Sequence, residues 1–232
     1  MSEGKIIPEF ADKNRNSEYL IIDTVTLTFL TFTGLLLVIF SGFRDINYFY
    51  FGTSNLLISA FIFVILKTGV NSSFKNGLFR ILYPLLAITL VHVEVELFIE
   101  MIYGADAYLD HIVLKWDAAL FGVNPHLYFQ NQLPQLYWNE LFHLLYIFYY
   151  PLLFGSLIWV WNKRRYDFPR FVFIYLGLFF TFVVIFSLFP VIGPLYVRDS
   201  LQVNPGVISR FVDFLFLIGA PDGAAFPSSH VG

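Results

Sequence analysis

A chain of 232 residues that is 57% hydrophobic and 20% aromatic but only 13% charged is not a soluble globule, in which about 25% of residues carry charge. A net charge of −3 excludes the basic footprint of a nucleic-acid binder. The absence of cysteine excludes disulfides, thiolate metal sites and a cysteine nucleophile. What remains is an integral membrane protein, and the length of its apolar runs makes it an all-α bundle. Residues 1–19 mix Glu3, Lys5, Glu9, Asp12, Lys13, Arg15 and Glu18. They are too charged for a secretory leader and read as a cytoplasmic tail before a retained anchor.

A span needs about 20 apolar residues at 1.5 Å each. Five runs meet that length: 24–43, 46–66, 81–103, 141–161 and 171–189. Only Arg44-Asp45 separates the first two, which implies a helical hairpin. The third turns polar at His92 and then carries Glu94, Glu96 and Glu100. Pro151 interrupts the fourth, and Asn162-Lys163-Arg164-Arg165 stops it. A sixth helix is expected to begin near Ser228. The organisation expected is one membrane domain over 1–232, with five full spans and the start of a sixth.

Two long connections separate these spans. In 104–140, Leu109, Ile112, Val113, Trp116 and Leu120 recur at helical spacing with Asp110, His111, Lys115 and Asp117 around the rest, the pattern of a helix lying in the interface. In 190–227, Phe211, Phe214, Leu215 and Ile218 mark a second such helix over 207–218. Basic residues orient the bundle. The tail and the 2–3 and 4–5 connections hold ten of them, against four on the other side: Arg44, Lys115, Arg198 and Arg210. The positive-inside bias puts the N-terminus in the cytoplasm and both long connections outside.

The chemistry concentrates at the end, in Phe226-Pro227-Ser228-Ser229-His230-Val231-Gly232. Serine caps a helix start, whose unsatisfied N–H groups and positive dipole end bind phosphate. Histidine there moves a proton near neutral pH. Two hydroxyls, free backbone donors and an imidazole suit phosphoryl transfer, which needs positioned donors above all. His230 has a plainer reading too, a helix-start histidine satisfied by a loop carbonyl.

Some thirty residues earlier stands Phe189-Pro190-Val191-Ile192-Gly193-Pro194-Leu195-Tyr196. FPVIGPLY followed by FPSSHVG resembles the type-2 phosphatidic acid phosphatase superfamily, and within it the branch of the inositol phosphorylceramide synthases. WDAALFG at 116–122 and YIFYYP at 146–151 also resemble that branch. The resemblance implies that His230 is the general acid at the leaving oxygen, and that Ser228 and Ser229 with their amides hold phosphate oxygens. It implies a lipid phosphate as partner and no cofactor. The family's basic first motif is replaced by Gly193-Pro194-Leu195-Tyr196; Arg198 takes the phosphate-binding role beside Tyr196, with Arg210 a poorer substitute and an ordinary interfacial arginine the alternative. The family's nucleophile is a second histidine with an aspartate four residues on. No residue follows Gly232, so the chain is expected to be a fragment or to be completed by another chain.

A competing constellation is His92, Glu96 and Glu100, one face of a continuous helix at i, i+4 and i+8. Ionisable groups in a span are paired or functional. Three readings stay open: structural pairing with Arg198 or Arg210, a polar network at the substrate headgroup, or a metal site completed by His143. Asp117 reads as a capping or loop-fixing residue, His111 and His126 as solvated loop residues, and His143, beside Glu140, as hydrogen-bonded within the bundle. Three functions follow: a lipid phosphatase or phosphotransferase acting outside the cytoplasm, a metal-dependent membrane enzyme, or a non-catalytic membrane subunit.

Overall fold

The computed structural model describes residues 6–42, 45–68, 78–104, 107–133, 136–164, 166–193, 205–219 and 221–226. Among them the chain is helical, with one isolated bridge pair between Val191 and Ala224. The helices are α1 (Ile6–Ser41), α2 (Ile46–Lys67), α3 (Leu78–Val93), α4 (Val95–Tyr103), α5 (Asp110–Phe121), α6 (Pro125–Gln132), α7 (Leu136–Lys163), α8 (Phe168–Leu188) and α9 (Val207–Gly219). They divide into two compact units, Met1–Val91 with Ser156–Phe180, and His92–Gly155 with Thr181–Gly232.

Among the described residues, four helical segments are each long and apolar enough to cross a bilayer: Tyr19–Ser41, Ile46–Lys67, Leu136–Lys163 and Phe168–Leu188. They correspond to the expected first, second, fourth and fifth runs. Pro151 lies inside α7 without ending it, as membrane helices tolerate. The third run differs. It breaks at Glu94, a buried turn residue at φ −83° and ψ −5°, into helices of 16 and 9 residues. Neither half alone reaches the roughly 20 residues of a span, while the two together do. The tail expected over 1–19 is helical from Ile6, and the start of the sixth helix lies outside the described residues.

The first unit is built on the α1–α2 hairpin. Asp45 caps α2 by accepting from the amide of Asn47. The buried row of α2 is Tyr48, Gly52, Asn55, Ser59 and Ile62, alternating three and four residues apart so that one stripe meets α1. The middle of that stripe, Gly52, Asn55 and Ser59, is small or polar, while Leu57 and Phe61 on the outer face are 71% and 63% exposed. Polar inside and apolar outside is the arrangement hydrocarbon favours. Gly34 and Gly52 let the backbones touch: a Cβ on Gly52 would stand 2.8 Å from the Gly34 carbonyl oxygen and from Val38. Around this contact the hydroxyls of Thr31 and Ser59 lie 2.8 Å apart, and Asn55 donates to the Thr33 hydroxyl at 3.3 Å.

Two further contacts complete that unit. Phe29 stacks on Phe180 at 4.0 Å between centroids. The hydroxyl of Tyr83 on α3 donates to the buried carboxyl of Asp23 on α1. Tyr83→Phe removes this donor and leaves a buried oxygen poorer by one bond, so stability falls by about 1–3 kcal/mol. Unfolding of the variant in mixed detergent micelles, followed by circular dichroism, checks this; an unshifted midpoint would show the bond contributes nothing.

Candidate functional site

The second unit assembles the segments singled out in the sequence, beginning at the end of α8. The helix ends at Leu188, and Pro190, which has no amide hydrogen to donate back into it, follows in the departing chain. Val191 then pairs with the segment 223–225: its amide donates to the Gly223 carbonyl at 3.0 Å, and the Ala225 amide donates back to the Val191 carbonyl at 2.9 Å. Gly223 has to be glycine on two grounds. Its φ is +90°, and a Cβ there would lie 2.4 Å from Ile99 on α4.

The turn that follows Val191 is held by α5. Asp110, the first residue of that helix, accepts the Gly193 amide at 2.7 Å and the Ile192 amide at 3.1 Å. Gly193 takes φ +72°, the left-handed region open to glycine. The Leu109 amide donates to the Pro190 carbonyl at 2.8 Å, and the Tyr103 hydroxyl donates to the Leu188 carbonyl at 2.7 Å. Three rings close the assembly. Trp116 stacks on Phe189 at 5.7 Å, and Phe226 meets Phe189 at 5.8 Å and Trp116 at 6.5 Å. Trp116 opens WDAALFG, Phe189 opens FPVIGPLY and Phe226 opens FPSSHVG. Three motifs distant in sequence therefore meet through their leading aromatic residues, with contacts of the geometry such rings prefer.

The expected site residues themselves fall differently. His230, Ser228, Ser229, Arg198 and Tyr196 lie outside the described residues. His92 and the two glutamates do not share one continuous helix face, because the break at Glu94 leaves His92 on α3 and puts Glu96 and Glu100 on α4. His92 has its ring 6.5 Å from Phe186, while Glu96 feels the charges of Asp222 and Glu100. Among the described residues, which include His92, Glu96, Glu100 and His143, no three His, Asp or Glu side chains converge as a metal centre requires. His143 meets the carbonyl of Asn139 at 2.7 Å, one turn back in its own helix. His111 is exposed in the first turn of α5, and the backbone of His126 is in α6. Arg210 is exposed on α9. Asp117 lies well inside α5, so it caps neither end.

The loop-fixing carboxylates are two that sequence reasoning passed over. Asp110 is one. Glu140 in the first turns of α7 is the other: it accepts the Ile208 amide at 2.8 Å and the Ser209 amide at 3.0 Å, the free donors at the start of α9. The only local signal was an acid at the beginning of a helix, and neither motif contains it. Gly206 leaves room for this cap, since a Cβ there would lie 2.2 Å from the Glu140 carboxyl carbon. Gly206→Ala therefore displaces the carboxylate and costs about 1.5–3 kcal/mol. Amide exchange at Ile208 and Ser209 reads the loss directly; protection equal to that of the unsubstituted protein would contradict it.

Between α7 and Ile208 runs an open groove of about 540 Å³ lined by Leu136, Tyr137, Glu140, Leu141, Leu144 and Ile208. Glu140 commits both oxygens to amides, so the wall offers hydrocarbon rather than hydrogen bonds. Comparison with protein families gives a match over residues 111–232 to the model described as the PAP2 superfamily. That stretch is just over half the chain and contains Trp116, Glu140, Phe189 and Phe226. No curated protein and no solved structure matches.

Proposed function

The chain belongs to the PAP2 superfamily, and from that membership, which supports a phosphatase-type activity, we propose a membrane phosphatase or phosphotransferase of the inositol phosphorylceramide synthase-like branch. Its substrate is a lipid-linked phosphate ester or diphosphate in the extracytoplasmic leaflet. The observation that carries the proposal is the meeting of Trp116, Phe189 and Phe226. It brings the leading residues of FPVIGPLY and FPSSHVG to one place, a geometry their separation in sequence does not require. The apolar exterior of the spans supports delivery of a lipid substrate from the bilayer.

In this scheme a histidine nucleophile forms a bond to phosphorus as the bond from phosphorus to the lipid oxygen breaks. No residue of this sequence is matched to that nucleophile. His230 gives its proton to the departing oxygen, so an ester's lipid leaves as a neutral alcohol and a diphosphate's as the lipid monophosphate. Water, or the hydroxyl of a second lipid, then attacks phosphorus, breaks the phosphorus–nitrogen bond and returns a proton to His230. Ser228, Ser229, Arg198 and Tyr196 hold the phosphate oxygens throughout. With the N-terminus cytoplasmic by the positive-inside bias, and α3 and α4 crossing the bilayer together as the third of five spans, this site opens to the outside.

The test is phosphate release from phosphatidic acid and from a polyprenyl diphosphate in mixed micelles by the purified protein, with a chelator present throughout. Turnover that survives chelation supports the proposal. Turnover abolished by the chelator and restored by one equivalent of metal would replace it with a metal-dependent enzyme. Absence of turnover on either substrate, with or without a lipid hydroxyl acceptor, would overturn it.

A further inference from the structure

Asp110 takes no part in the scheme above, and no resemblance assigns it a role, yet it holds the turn on which the motif junction rests. Its two oxygens accept two consecutive amides, Ile192 at 3.1 Å and Gly193 at 2.7 Å. One hydrogen bond leaves a peptide free to swing about the bond axis; two from a single carboxylate remove that freedom. The residue just before this pair is Val191, whose own amide and carbonyl are bonded to Gly223 and Ala225. From Ala225 the chain runs through Phe226 into Pro227, Ser228, Ser229 and His230. A continuous line of short polar contacts therefore connects one carboxylate on α5 to Ala225, three residues before Ser228.

We infer that Asp110 is a positioning residue for the phosphate site: by gripping the Ile192 and Gly193 amides it sets the register of the Val191–Ala225 pairing from which Ser228–His230 departs. The inference rests on the reading of Ser228–His230 as that site. Asp110 touches no substrate in it. Its carboxylate is suited to the task because an ionised acceptor binds amides more strongly than a neutral one. Both of its oxygens are engaged, and a small displacement at the reacting centre is costly, a shift of 1 Å being enough to lose about 10²-fold in rate.

The experiment compares Asp110→Ala and Asp110→Asn with the unsubstituted protein, and uses Asp117→Asn, on the same helix, as the control. Phosphate release from phosphatidic acid gives kcat and KM separately, and hydrogen exchange gives the protection of segments 189–193 and 221–226. The expected result in Asp110→Ala is faster exchange in both segments, with kcat lower by about 10–10²-fold and KM unchanged within error. Asn keeps one acceptor oxygen and falls between. Asp117→Asn leaves all readings unchanged. Exchange that quickens only in 189–193, an unchanged kcat in folded protein, or a loss that appears wholly in KM would overturn the inference. If Asp110→Ala does not fold, Asp110→Asn is decided by the same readings. If the unsubstituted protein releases no phosphate, the proposed function fails, and exchange in 221–226 still decides whether Asp110 sets the register.

Discussion

A His230→Ala protein turns over phosphatidic acid about 10²–10⁴-fold more slowly, the range general acid catalysis supplies. Without the imidazole the lipid must leave as an alkoxide, and the barrier rises by the cost of expelling an unprotonated oxygen. Binding is affected far less, because the phosphate oxygens are held by Ser228, Ser229 and Arg198 in this scheme, so the loss falls on kcat. A leaving group of low pKa needs no proton. The defect therefore shrinks on p-nitrophenyl phosphate, and the ratio of the two rates separates loss of a proton donor from general damage. Undiminished turnover of phosphatidic acid would sink the assignment of His230. An equal defect on both substrates would assign it to binding or folding instead.

The largest structural effect is expected in the first unit. Gly52→Leu drives a side chain into a space where even a Cβ would lie 2.8 Å from the Gly34 carbonyl and the Val38 backbone nitrogen. Neither of those atoms can move aside without shifting α1 itself. Overpacking costs about 1–3 kcal/mol, and separating the helices also breaks the Thr31–Ser59 and Asn55–Thr33 hydrogen bonds, each worth about 0.6–2 kcal/mol in a membrane. The sum is a loss of about 2–7 kcal/mol, enough to open the hairpin in a marginally stable protein. Denaturation in mixed micelles measures it. Gly42→Ala, at a glycine with no atom nearer than 4.0 Å, is the comparison and shifts the midpoint little. Equal midpoints for the two variants would show that the backbone contact between α1 and α2 is not needed.

How much of this was legible follows from the range of each interaction. The hairpin was readable because two apolar runs stood apart by a single charged pair, and α5 and α9 because their apolar residues recur at helical spacing. The helical start of the tail at Ile6 was not readable, since residues 6–18 mix charges with apolar residues at no clear period. Nor was α6, which begins on Pro125 and carries little apolar patterning. The break in the third run was hidden for a definite reason. Mean apolarity counts residues and cannot register that Glu94 turns the chain, which sets its two halves on different helices.

The carboxylates show the same limit at the site. Asp117 stood in a motif and attracted the loop-fixing role, whereas Asp110, seven positions earlier and outside that motif, performs it. A carboxylate that binds backbone amides selects no side chain in its partner, so Ile192 and Gly193, 82 and 83 positions away, leave no trace in the local pattern. Glu140 and the start of α9 are the same case at separations of 68 and 69.

The sequence by itself determined where apolar runs make membrane helices and which motifs name the family, because hydrophobic length and residue type are local properties. Only the tertiary structure decided that three motif aromatics share one contact, that two carboxylates pin the connection between α8 and Phe226, and that Glu94 divides the third run. Those outcomes depend on backbone groups brought together by folding, and a backbone amide is the same whatever residue bears it.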